Sequence, residues 1–161
     1  MPVINELLKM RQYFESGSTK SYSFRKEQLI KLKTMVEKYQ QAIQDALYKD
    51  LKKSAEEAWI TETGFVVSEI NYILNHLKDW MQEETVSTNL LNIPSKSYIV
   101  TEPLGTLLII GPWNYPLQLL FTPLAGAIAA GNCVVLKASE FAPATAAIMK
   151  IMIAETFDEQ Y

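Results

Sequence analysis

The segment 104–116, LGTLLIIGPWNYP, offers one amide side chain, Asn114, between an uncharged apolar run and a proline. Leu107 to Ile110 read as a fully buried strand, and Pro116 suits the first turn of a helix, where its missing N–H is not needed. Asn114 then lies in the short loop after a buried strand, the position that faces the ligand crevice in open α/β sheets. A carboxamide there can donate hydrogen bonds to developing negative charge. A second group, Lys137, Ser139 and Glu140, follows the apolar run CVVL. A lysine closing an apolar strand is costly to bury unless it reaches a ligand or water. With Glu140 it offers hydrogen bonds to vicinal hydroxyls such as a ribose presents. The plainer reading, a surface lysine at a strand end with a helix-capping loop behind it, stays open on spacing alone.

Other chemistry is thin. Cys133 opens its strand at the end away from the crevice and reads as a small core residue. His76 has no cysteine or second histidine at ligand spacing, so it is expected as a surface or boundary residue at the margin of a helix's apolar stripe, and no metal centre is expected. There is no GxGxxG, and the 126–131 glycine pair is not followed by the Lys-Ser/Thr of a P-loop. Paired carboxylates and a Ser-His-Asp arrangement do not stand out. Trp113 and Tyr115 could wall the site, though packing explains them equally well.

These residues need a frame. Ile4, Leu7, Leu8, Arg11 and Phe14 recur at helical spacing before Gly17. Ser21 or Ser23 can cap a second helix whose stripe, Leu29, Leu32, Val36, Tyr39, Ile43 and Leu47, lasts to about Leu51. Lys52-Lys53 and Glu56-Glu57 read as a solvated helix end and turn. Val66, Ile70, Ile73, Leu77 and Trp80 mark a third helix, and Glu83-Glu84-Thr85 begins a polar link. Beyond it come strands at 97–101, 106–110 and 133–137, a helix over 116–130 ended by Gly131-Asn132, and a helix from Pro143 to about Glu155. Strand, helix, strand, helix implies a parallel sheet with right-handed crossovers, hence an α/β fold.

Composition narrows the class. A 161-residue chain with 48% hydrophobic and 20% charged residues is ordinary for a soluble globular protein. Its net charge of −3 gives no electrostatic case for nucleic acid or anionic membranes. No charged residue occurs from Pro103 to Leu136, but prolines and glycines interrupt that run. Its longest helix-compatible piece falls short of the ~20 residues a membrane span requires. One cysteine excludes an internal disulfide, and MPVINELLKM does not read as a secretory signal, so a cytoplasmic location is expected.

GPWNYP, followed by PLAGAIAAGNCVVLKASE, resembles the aldehyde dehydrogenase superfamily. The short helical N-terminus and SFRKEQ at 23–28 resemble its class 3 type, which acts on fatty or aromatic aldehydes. The resemblance covers essentially the whole chain. It implies a helical segment at 1–84 flanking the first βαβα part of a Rossmann-like NAD(P)-binding domain at 85–161. It also implies oxidation of a small-molecule aldehyde to an acid through a cysteine thioester, with NAD, or NADP, as acceptor. Asn114 matches the family's oxyanion-stabilising asparagine. Lys137 and Glu140 match positions that bind the adenosine ribose, and Ile110, Gly111, Pro112, Trp113 and Ser139 are expected beside the cofactor. A carboxylate at Glu140 should favour NAD over NADP.

Two departures are visible. The family usually shows Lys-Pro-Ser-Glu where this chain has Lys137-Ala138-Ser139-Glu140, which loosens a loop without deleting a ligand. The nucleophilic cysteine, the glutamate base and the oligomerisation strand of full members all correspond to positions beyond Tyr161. The chain is therefore expected to be the N-terminal third of such an enzyme, inactive alone and prone to associate, with a homodimeric full-length parent. A non-catalytic nucleotide- or partner-binding α/β module and an acylating, coenzyme A-dependent relative are the competing readings.

Overall fold

The computed structural model of the chain describes residues 2–161. Helix α1 (Pro2–Glu15) is followed by α2 (Tyr22–Lys38), whose N-terminus is capped by Ser21 Oγ accepting from Phe24 N at 3.1 Å. A single non-helical residue, Tyr39, separates α2 from α3 (Gln40–Leu51), where one continuous helix was expected. No glycine or proline marks the break. It lets the apolar stripe change direction: α2 packs on the later helices α5 and α6, whereas α3 packs chiefly on α7. Lys52 ends α3 in a left-handed conformation (φ 59°).

A short helix α4 (Ala55–Ala58) runs through a π-helical turn (Trp59–Thr63) into α5 (Gly64–Trp80). The extra residue of the π turn brings the Trp59 carbonyl close to Gly64, whose N–H it accepts; a Cβ on Gly64 would lie 2.7 Å from that oxygen. His76 stacks on α5 between Tyr72 and Trp80, half-exposed as expected.

Two small sheets follow. β1 (Glu84–Val86) pairs antiparallel with β2 (Ser97–Ile99), so the polar link expected at 83–85 is partly a strand. β3 (Thr106–Ile110) and β4 (Cys133–Lys137) pair in parallel, joined by α6 (Gln118–Ala130), and α7 (Pro143–Thr156) follows β4. Gly131 terminates α6 at φ 85°, as its left-handed cap requires. Its bare Cα also lets the Arg25 guanidinium lie against it, where a Cβ would approach to 2.7 Å. Arg25 donates to the Ala129 carbonyl at 3.1 Å, fastening α2 to the end of α6.

One core runs through both halves of the chain. Leu29, Leu32 and Val36 of α2, Ile70 and Leu77 of α5, Phe121 and Ile128 of α6, and Met149 and Met152 of α7 form a single buried cluster. Ile109, Val134 and Leu136 pack against it from one face of the β3–β4 sheet. The other face is open: Leu108 is 61% and Ile110 63% exposed. The expectation of a strand buried on both faces is corrected accordingly. A crossover of one hand places α6 on one side only; α1 also packs on β3 and β4, and Cys133 is buried on the open side, but Leu108, Ile110 and Val135 there stay exposed.

The two glycines of the helical layer make opposite demands. Gly64→Ala should lower stability by about 1–3 kcal/mol, because the Trp59 carbonyl leaves a methyl no room. Gly126→Ala, at a helical site with nothing within 4 Å of the added carbon, should raise it by about 1 kcal/mol. Urea midpoints of the two variants check this; equal shifts would show that the π turn yields freely.

Candidate functional site

The parallel register brings the two chemically equipped loops to one edge. Ile110 stands opposite Lys137, and Gly111 N donates to the Lys137 carbonyl at 2.9 Å as the strands end. The loops carrying Asn114 and Glu140 thus leave neighbouring strands in the same direction. Pro112, Trp113, Asn114 and Tyr115 are all exposed on the first of them. Gly111 is buried, and a Cβ there would lie 3.0–3.2 Å from Leu120 side-chain atoms. Its missing side chain serves the close approach of β3 to α6. Ile110 projects to the open face of the sheet.

On the second loop, Lys137 Nζ donates to Glu140 Oε2 at 2.6 Å, both side chains being exposed. That hydrogen bond holds the Glu140 carboxyl below the usual carboxylate range. Ser139 is buried and its hydroxyl accepts from Phe141 N at 3.2 Å, so it turns into its own loop. The helix behind is capped from a distance: Asp50 of α3 accepts from Ala144 N at 3.1 Å and Thr145 N at 2.7 Å. No spacing in the sequence links Asp50 to that helix, since 94 residues separate it from Ala144.

A buried ion pair lies beneath the first loop. Lys53 Nζ donates to Glu62 Oε1 at 2.6 Å and to the Asn114 carbonyl at 2.9 Å; Lys53 is 6% exposed and Glu62 wholly buried. The reading of Lys52-Lys53 as a solvated end is corrected for Lys53. The left-handed residue before it turns the chain, and its ammonium finds a carboxylate and a carbonyl inside. Burial pushes the Glu62 carboxyl above the usual carboxylate range, against the pull of Lys53 and two backbone amides. Glu62 was legible in principle. It sits on the stripe Ala58, Val66, Ile70, Ile73, Leu77, four residues from each neighbour, where a charge needs a buried partner.

An apolar cleft lies elsewhere. About 670 Å³ opens between α6, β4 and α7, lined by Leu120, Ile128, Leu136, Met149, Ile153 and Phe157 among others. Asn114, Lys137 and Glu140 take no part in it. Cys133, buried at the start of β4, has its thiol pushed up to about 11 by burial. Among the described residues no cluster of three or more His, Cys, Asp or Glu side chains could hold a metal ion, and no helix is long and apolar enough to cross a membrane.

A family model of the aldehyde dehydrogenases matches residues 6–159. The chain belongs to the aldehyde dehydrogenase family. It is 48% identical over 151 residues to 4,4'-diaponeurosporen-aldehyde dehydrogenase of Staphylococcus aureus, covering 94% of this chain and 33% of that protein. The substrate-bound structure of Staphylococcus aureus AldH superposes with a TM-score of 0.96 at 45% identity, covering 99% of this chain and 35% of the other. Staphylococcus aureus betaine aldehyde dehydrogenase in complex with NAD+ superposes at 0.79 with 26% identity, covering 96% and 31%. The chain thus spans about a third of the length of these relatives. The α/β architecture expected for the first part of this family's fold is the one observed.

With its thiol buried and its pKa near 11, Cys133 should resist iodoacetamide at pH 8 and react only after unfolding. Mass spectrometry of native and urea-treated protein checks this. Rapid native labelling would show that β4 opens and that the buried assignment is wrong.

Proposed function

We propose that this chain is the cofactor-side part of an NAD(P)-dependent aldehyde dehydrogenase that oxidises an aldehyde to its carboxylic acid. In this reading Asn114 stabilises the oxyanion, and Lys137 and Glu140 hold the adenosine ribose. Ile110, Gly111, Pro112, Trp113 and Ser139 shape the edge on which the dinucleotide lies. Residues 1–84 act as a helical buttress to the binding unit at 85–161. The observation that carries the proposal is the β3–β4 register, which delivers the Asn114 loop and the Lys137–Glu140 pair to one edge.

The donor set suits a dinucleotide. An exposed ammonium and an exposed carboxylate 2.6 Å apart can rotate from each other to two vicinal hydroxyls, one donating and one accepting. The exchange costs little, because both groups are exposed and solvent screens their attraction. The carboxylate would repel a 2′-phosphate, which supports NAD over NADP. A dinucleotide held there would supply the acceptor for the hydride lost by the substrate carbon.

Asn114 does the chain's share of the chemistry. As a thiolate adds to the aldehyde carbon, the carbonyl π pair moves to oxygen, and the amide N–H donates to that growing negative charge. A donor already in place gains more with the transition state than with the ground state, which lowers the barrier. The thiolate and the water-activating base come from the two thirds of the relatives' length that this chain does not span. Cys133, buried and protonated, is no substitute, so the isolated chain is expected to be inactive. Association of exposed sheet edges, and a homodimer for a full-length enzyme, belong to the same proposal.

A chimera in which residues 1–161 replace the matched third of Staphylococcus aureus AldH tests it. Aldehyde-dependent NADH formation is expected, and Asn114→Ala should lower kcat on the order of 10²–10³-fold with little change in the KM for NAD. A folded chimera whose kcat ignores Asn114→Ala would contradict the assignment.

A further inference from the structure

Among the described residues, every side-chain hydrogen bond of the buried Lys53–Glu62 pair outside the pair itself ends on the loop that carries Asn114 or on the helix start that follows it. Lys53 Nζ takes the Asn114 carbonyl at 2.9 Å and stands 4.1 Å over the Tyr115 ring. Glu62 Oε2 accepts from Leu117 N at 3.0 Å and Gln118 N at 2.8 Å. Between them only Pro116 is untouched, and it has no N–H to give. The two amides belong to the N-cap residue and the first residue of α6, where Leu117 supplies no side-chain cap.

We propose that Lys53 and Glu62 are positioning residues for Asn114, clamping the main chain from 114 to 118 so that the carboxamide is held out toward the crevice. The inference rests on the reading of Asn114 as the oxyanion donor. A lone amide on an exposed loop reorganises when charge appears beside it, and such a donor stabilises a transition state poorly. Fixing the Asn114 carbonyl from one side and the following helix start from the other removes that freedom. A charged pair performs this where a neutral one would not, because charge-assisted bonds are shorter and about twice as strong. Glu62 is itself held by the π turn, so the clamp is anchored to α5 and thence to the core.

Two measurements test the clamp. In the 161-residue chain, Glu62→Gln should speed amide exchange at Leu117 and Gln118 by tenfold or more, on the order expected for one lost charge-assisted bond, while the later amides of α6 keep their rates. Exchange that rises throughout α6, or nowhere, overturns the local clamp. In the chimera, Lys53→Met should lower kcat roughly ten- to a hundredfold in the Asn114 background and not at all in the Asn114→Ala background. Equal losses in both backgrounds would show a merely structural pair, and no loss in either would show no role. Should Lys53→Met fail to fold, Glu62→Gln takes its place in the same cycle, and each outcome is read the same way. Failure of the underlying reading looks different, since Asn114→Ala alone would then leave kcat unchanged.

Discussion

Two adjacent strands running the same way impose the geometry on which the rest depends. Parallel pairing forbids a tight hairpin, so α6 must carry the chain back across the sheet before β4 can begin. The same pairing ends both strands at one edge, with Gly111 hydrogen-bonded to Lys137. Two loops far apart in sequence are thereby delivered side by side, as the parallel-sheet rule requires. The chemistry assigned to Asn114, Lys137 and Glu140 inherits its force from that register.

The helical layer serves this arrangement from beneath. α2 and α5 bury α6, Arg25 holds its C-terminus, and Glu62 holds its N-terminus. A buried ion pair gives weak grounds for stability, since desolvation offsets much of its attraction. What it does supply is direction. An apolar pair of the same volume could fill the space, yet it could not bond the Asn114 carbonyl and two amides at the start of α6 at once. The aldehyde dehydrogenase fold thus sets an exposed, polar loop on a rigid, charged footing.

Much of this frame was legible in the residues. The strand–loop–helix of GPWNYP, the Gly131 cap, the Ser21 cap and the strand CVVLK all follow from periodicity and turn chemistry, and the structure places them as expected. What escaped was set by tertiary partners. Tyr39 breaks a helix with no local breaker, because the two halves pack on different neighbours. Lys53 is chemically identical to Lys52, and the left-handed turn at Lys52 decides which ammonium goes inside. The exposed face of β3 reads as core because the β-branched run was matched to a sheet covered on both sides, and here one face is covered only where Cys133 is buried, leaving Leu108 and Ile110 open.

The shared crevice is tested most directly by following backbone amides of the 161-residue chain while NAD is added to millimolar concentration. Amides of 111–115 and of 137–141 should shift together along one binding curve, even if that curve is weak. Shifts confined to one loop, or found instead along the apolar cleft between α6 and α7, would show that the two strand ends do not build a single dinucleotide site.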